Sequence, residues 1–196
     1  NVRAARALAP IYEQEEKWAR LPALYEVLLG HAQEVEGKLA ILEKLIAITA
    51  HNLQDRAAAF RYAQRAYELA PQASFSGGEG TLARLEQAAG AAGQWPAFVA
   101  ALEGRMAVEG VETAERRALK AKVAETYASH LGRVDEAVAT YRSLVEEDET
   151  DERAVATLDG ILRGADRRED LRWLYDVRVA RANTSQKVEL LTEWAA

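Results

Sequence analysis

The chain has 196 residues, 49% of them hydrophobic and 29% charged, with a net charge of −6. That apolar content suits a folded core, while the acidic balance disfavours a nucleic-acid or anionic-membrane surface. With no Cys there is no disulfide framework or thiolate metal site, and no apolar run approaches the roughly 18–20 residues of a membrane span.

Forty alanines against four prolines favour helix throughout. Apolar residues recur at a period near 3.6, and no segment alternates as a strand would. In chain order the pattern predicts helices over 2–16, 18–31, 35–52, 56–70, 79–92, 95–109, 112–130, 134–148, 151–164, 168–182 and 185–196. The breaks between them carry turn chemistry, among them Pro71, Gly77-Gly78, Gly93, Gly110, Gly132 and Gly164. Helices of this length joined by short connections must run antiparallel to their neighbours, which gives stacked hairpins.

The hairpins repeat. Leu8, Trp18, Leu21 and Tyr25 recur 77 places later as Leu85, Trp95, Phe98 and Leu102, and after a further 73 as Leu158, Arg168, Leu171 and Tyr175. Leu42, Ile46 and Ala47 recur likewise as Leu119, Val123 and Ala124. A period near 75 residues holding four helices is the signature of an α-solenoid, in which each unit buries its apolar face by stacking on the next. The expected organisation is one array over 1–196, with sub-units 1–76, 77–149 and an incomplete 150–196. The final segment still presents Val188, Leu191, Trp194 and Ala195, so the array is read as an excerpt of a longer one.

The second hairpin of each period carries a recognisable pattern. Leu131-Gly132-Arg133-Val134-Asp135-Glu136-Ala137-Val138 followed by Tyr141 and Leu144 resembles the turn and second helix of a tetratricopeptide (TPR) repeat. The earlier copy runs Leu53-Gln54-Asp55, Ala59, Ala63, Ala66 and Leu69-Ala70-Pro71, with Pro71 where that family commonly ends a repeat. The first hairpins are looser: Trp18 and Trp95 stand in the family's turn aromatic slot, which Arg168 takes in the third copy. The resemblance implies an all-α, right-handed superhelix whose concave wall is built from the first helix of each hairpin. On this chain the wall positions would be Lys44, Ile48, His51, Arg84, Gln87, Lys122 and Glu125, with Ala83, Ala91, Ala118 and Ala121 beside them. That wall would be shallow, lined by small residues and weakly charged. The paired Lys and Asn with which the family clamps a peptide carboxylate are absent at these positions.

The residues alone support a structural reading of Ala59 and Ala137, where two helices cross closely, and of Tyr25, Tyr141 and Tyr175 as fillers between hairpins. Other candidates carry less chemistry. His31, His51 and His130 sit in last helical turns without ligand spacing, which suits surface or structural roles. The stretch Ser74–Thr81 lacks the Lys and the strand of a phosphate loop; Ser76 with Glu79 reads as a capping box, and three glycines suggest a flexible joint. The acidic run Glu146–Glu152 reads as a solvated turn, and the Arg163, Arg167, Arg168, Arg172 group, interleaved with acids, as a solvated face. Trp173 is either an exposed interface anchor or covered by a neighbouring helix.

The expectation is a non-enzymatic protein–protein interaction scaffold that binds a partner protein or peptide, with no cofactor, no metal, no nucleic acid and no membrane insertion. Neighbouring repeats of the parent chain are further expected partners. The alternatives are the regulatory repeat region of a larger enzyme or signalling protein, an RNA-binding helical repeat, which the acidic charge disfavours, and an enzyme in its own right. The expected location is soluble, cytoplasmic or periplasmic, and the Arg- and Ala-rich composition suggests a bacterial source.

Overall fold

The computed structural model describes residues 1–182 and 187. Among them are ten α-helices: α1 (Val2–Gln14), α2 (Leu21–His31), α3 (Val35–Ala47), α4 (Arg56–Leu69), α5 (Thr81–Ala92), α6 (Trp95–Met106), α7 (Thr113–Ser129), α8 (Val134–Glu147), α9 (Glu152–Gly164) and α10 (Arg168–Arg181). A 3-10 turn (Trp18–Arg20) precedes α2, and a π-turn (Ile48–Asn52) extends α3. The helix expected at 185–196 lies outside the described residues, apart from helical Lys187. The fold is all-α, as the periodicity requires.

Local chemistry sets the helix ends. Asp55 and Asp151 cap α4 and α9, their carboxylates accepting from the amides of Ala58 at 2.8 Å and Ala154 at 3.0 Å. Gly93 ends α5 in the left-handed region at φ 64°, where a side chain would be strained. In the π-turn the Thr49 hydroxyl donates back to the carbonyl of Leu45 at 2.6 Å, and Leu53 N–H reaches five residues back to Ile48.

The chain forms two compact units, Asn1–Ala101 and the part from Leu102 onward. Within the first, α1 packs on α2, α2 on α3, α3 on α4 and α4 on α5; within the second, α7 packs on α8, α8 on α9 and α9 on α10. Each of these helices is thus held by its neighbours in the chain, the arrangement of an α-solenoid. Of the repeat positions, Leu21, Leu85, Phe98, Leu102 and Leu158 are fully buried, while Leu8, Trp18 and Trp95 are half-buried. Ala59 and Ala137 are buried at the hairpin crossings, and Tyr25, Tyr141 and Tyr175 are buried between helices.

The glycine-rich stretch departs from the sequence reading. α5 begins at Thr81, not at 79, and Gly80 occupies its N-cap without a side-chain bond. Ser76 does not cap it: its hydroxyl donates to the Glu43 carboxylate at 2.8 Å, and Glu79 pairs with Arg84. Phe75 is buried, its N–H donates to Glu79 at 2.8 Å, and Thr81 N–H donates to Ala73 at 3.0 Å, which makes a tied turn with Gly78 at φ 81°. The capping box fails because α3 offers Ser76 a carboxylate from outside the helix.

Candidate protein-interaction grooves

Each unit carries a groove among corresponding helices of the repeat. In the first unit, α3 with its π-turn, α4 and α5 enclose about 390 Å³, lined by His51, Arg84 and Gln87 together with Ala50, Ala88 and Ala91. In the second unit, α7, α8 and α9 enclose about 550 Å³, lined by Lys122 and Glu125 together with Ala114, Ala118 and Ala121. α3, α4 and α5 correspond to α7, α8 and α9 through the period, but the grooves sit at different positions along them: Arg84 and Thr157 are the one pair of lining residues that correspond. Alanine forms the floor in both because larger side chains would fill the space, while long polar side chains rise at the edges.

Five of the seven wall positions read from the sequence therefore line these grooves. Arg84 stands half-buried beside Glu79, its guanidinium 5.7 Å from the Phe75 ring centre. Lys122 and Glu125 form an ion pair at 3.3 Å within α7. Two positions do otherwise. Lys44 is exposed but turns toward the first hairpin, where its ammonium donates to Glu13 at 3.1 Å and to the Tyr25 hydroxyl at 3.0 Å. Ile48 is only 5% exposed and offers no surface. It opens the π-turn, which packs against α2 and α4, so the apolar stripe of α3 widens there and takes Ile48 into the core.

The Tyr25 cluster is polar and partly buried. Its hydroxyl bridges Glu13 of α1 and Lys44 of α3. Burial, then the bond to Glu13, raises the Tyr25 pKa; the hydroxyl bond raises that of Lys44; burial opposes but does not reverse the lowering of Glu13 by its two bonds. In the third copy Glu13 corresponds to Arg163 and Tyr25 to Tyr175, and Arg163 donates to the Tyr175 hydroxyl at 2.6 Å. The second copy has Gly90 and Leu102 at these positions, so the polar partner vanishes together with the hydroxyl it serves.

Trp173 is not a free anchor. It is half-buried against the core of the second unit, and the Arg142 guanidinium lies 4.1 Å from its ring centre. Arg142 in turn pairs with Glu146 at 3.1 Å and Asp170 at 3.7 Å.

The acidic run is a largely exposed turn, as read, and it is also tied down. Glu147, Asp148 and Asp151 face α7, where Arg117 reaches Asp151 at 2.9 Å, Glu147 at 3.4 Å and the Leu144 carbonyl at 3.3 Å. Lys120 bonds to Glu147 and, at 2.6 Å, to Ser143; the bond to Glu147 holds that carboxyl below its usual range. These charges close the α8–α9 turn onto α7. Arg117 and Lys120 lie three residues apart and share a helical face, a signal the sequence held but which gains meaning only when hairpin packing brings residue 147 beside 120. The same side chains border a larger groove of about 1030 Å³ between the end of α6, α7 and α8, lined also by Met106, Val123, Tyr127 and Thr140, which sequence reasoning missed.

The Arg cluster is laced with acids, Arg163 to Asp159 at 2.7 Å, Arg167 to Asp135 and Asp170, and Arg168 to Asp166 at 3.1 Å. The His31 ring nitrogen Nδ1 lies 2.9 Å from the Val27 carbonyl. Among the described residues, no group of three or more His, Asp and Glu side chains stands where it could hold a metal ion. No helix among them is long and apolar enough to cross a membrane.

No protein-family model matches the sequence, and no curated protein matches it significantly. Among solved structures, the chain is similar to the nearly identical TPR-like repeats of a Podosopora anserina protein named as a kinesin light chain. The two share 20% identity over 99% of this chain and 92% of that one, with a TM-score of 0.40. At that level the likeness adds nothing to what the helices and their packing establish.

Proposed function

We propose that this chain is a protein–protein interaction scaffold that binds a partner protein or peptide through the paired grooves of its second hairpins. The observation that supports this reading is that each unit has an alanine-lined, polar-edged groove, and that His51, Arg84, Gln87, Lys122 and Glu125 line them. A shallow floor of small side chains accepts a backbone at close range, and His51, Arg84, Gln87, Lys122 and Glu125 at the edges supply hydrogen bonds that fix its register. The role is binding without catalysis, within a larger repeat protein or as the repeat region of an enzyme or signalling protein. The net charge of −6 argues for a protein partner over a nucleic acid.

The test is selection of binding peptides from a random library, with the chain and with a variant whose grooves are filled by Ala91→Trp and Ala118→Trp. Both alanines are exposed, so the variant folds. Peptides should be enriched by the open chain and lost from the filled one. Equal retention by both, or no enrichment at all, contradicts the reading.

A further inference from the structure

The repeat sets a carboxylate at one position in both units. Glu26 of α2 recurs 77 places later as Glu103 of α6, in step with Trp18 and Trp95. α4 and α8 match end to end at a separation of 78, which pairs Ala59 with Ala137, Tyr62 with Thr140 and Arg65 with Ser143.

In the first unit the acid is satisfied from within the chain. Arg65 grips both oxygens of Glu26 with its two terminal guanidinium nitrogens, the longer bond at 3.2 Å. Tyr62, one turn earlier on α4, is half-buried beside the same carboxylate, with its ring centre 5.7 Å from the Arg65 guanidinium. α4 thus sends a tyrosine and an arginine, three residues apart on one helix face, across to α2. Glu26 is half-buried between them.

In the second unit α8 lacks both groups. Thr140 carries no ring and Ser143 no guanidinium; the Ser143 hydroxyl accepts from Lys120 of α7 at 2.6 Å. Glu103 is exposed and accepts from the Tyr127 hydroxyl at 3.1 Å, but among the described residues no cation pairs with it. Beside it lies the groove of about 1030 Å³, which Met106, Tyr127, Ala139 and Thr140 line together with Glu103. The lining cations Arg117 and Lys120 are already paired with acids of the α8–α9 turn.

We propose that this groove docks a helix of a partner protein that presents an arginine with an aromatic residue one turn before it, the pair that α4 supplies in the first unit. The arginine pairs with Glu103, the carboxylate left without a cation, and the ring packs on the Met106 thioether and the Tyr127 ring. The site is separate from the alanine-lined grooves and does not depend on what they bind.

Fluorescence anisotropy tests this with the full chain and a labelled, alanine-based helical peptide that carries one arginine and a tyrosine three residues before it. The peptide should bind, and binding should weaken by about fivefold or more with Glu103→Gln, or when glutamine replaces the arginine of the peptide. The two changes together should cost no more than either alone. Glu103→Lys should reverse the preference, so that a peptide with glutamate in place of arginine binds better than the original. Ala139→Trp, which fills the groove, should abolish binding. Glu103 and Ala139 are both exposed, so these variants keep the fold. Failure of the arginine peptide to bind, or equal binding by the Glu103→Gln or the Ala139→Trp chain, overturns the proposal. Self-association of the chain that Glu103→Gln removes also overturns it, because the occupant is then a second copy.

Discussion

Replacing Arg117 by Met removes a charge but keeps the aliphatic stem, so it isolates the clasp that ties the α8–α9 turn to α7. The Arg117 side chain is 19% exposed, and it meets the α9 N-cap Asp151 at 2.9 Å and the last turn of α8 through the Leu144 carbonyl at 3.3 Å. Charge-assisted hydrogen bonds contribute about 1.5–3 kcal/mol when desolvated, and exposed ion pairs about 0–1. Arg117 is mostly covered, but Asp151 and Glu147 are a third to nearly half exposed, so the loss should fall at about 1–2 kcal/mol, between those limits. With a urea dependence of about 2 kcal/mol per molar, the midpoint should fall by about 0.5–1 M. The assay is urea unfolding followed by circular dichroism, with the exposed neighbour Arg116→Met as control. A fall below about 0.3 M, or an equal fall in the control, refutes the claim that the clasp holds this turn.

Further outcomes follow from the same contacts. Tyr25→Phe leaves Glu13 and Lys44 without the hydroxyl between them and should cost about 1 kcal/mol in urea unfolding; no loss would show that water replaces the bridge freely. Gly160→Ala, whose new Cβ meets open space inside α9, should stabilise by about 0.5–1 kcal/mol through helix propensity. Gly90→Ala should gain less, because its Cβ would stand 3.2 Å from the Trp95 ring; equal melting temperatures for the two variants would contradict that contact. Lys120→Met should destabilise at neutral pH and progressively less on acidification. Glu147 has a folded pKa below its unfolded value, so its contribution is present above the unfolded pKa and is lost as pH falls through the folded one. A difference between wild type and Lys120→Met that stays constant from pH 7 to about pH 3 would remove Lys120 as the cause.

The helices were legible because their signals are local. Asp55 and Asp151 announce helix starts, Gly93 and Gly132 announce turns, and the 3.6-residue stripe separates Leu42, Leu45 and Ile46 from exposed Lys44. Of the seven wall positions that the tetratricopeptide resemblance implies, five line the two grooves. What failed depended on partners distant in sequence or on local backbone detail. Ile48 was lost to the core because α3 ends in a π-turn that no period reveals. Ser76 found Glu43, 33 residues away, instead of its own helix. The acidic run is the exposed turn that was read, but its ties to Arg117 and Lys120 stayed hidden because those residues precede it by about thirty positions and meet it only through hairpin packing. Trp173 gained its cover in the same way, from Arg142 on α8.

Partner binding is assigned to the two alanine-lined grooves. Amide chemical-shift mapping during titration with a library-selected peptide tests it most directly. The account predicts shifts concentrated at His51, Arg84 and Gln87 in the first unit and at Lys122 and Glu125 in the second. Shifts confined to Met106, Tyr127 and Thr140, in the groove between α6, α7 and α8, would contradict it.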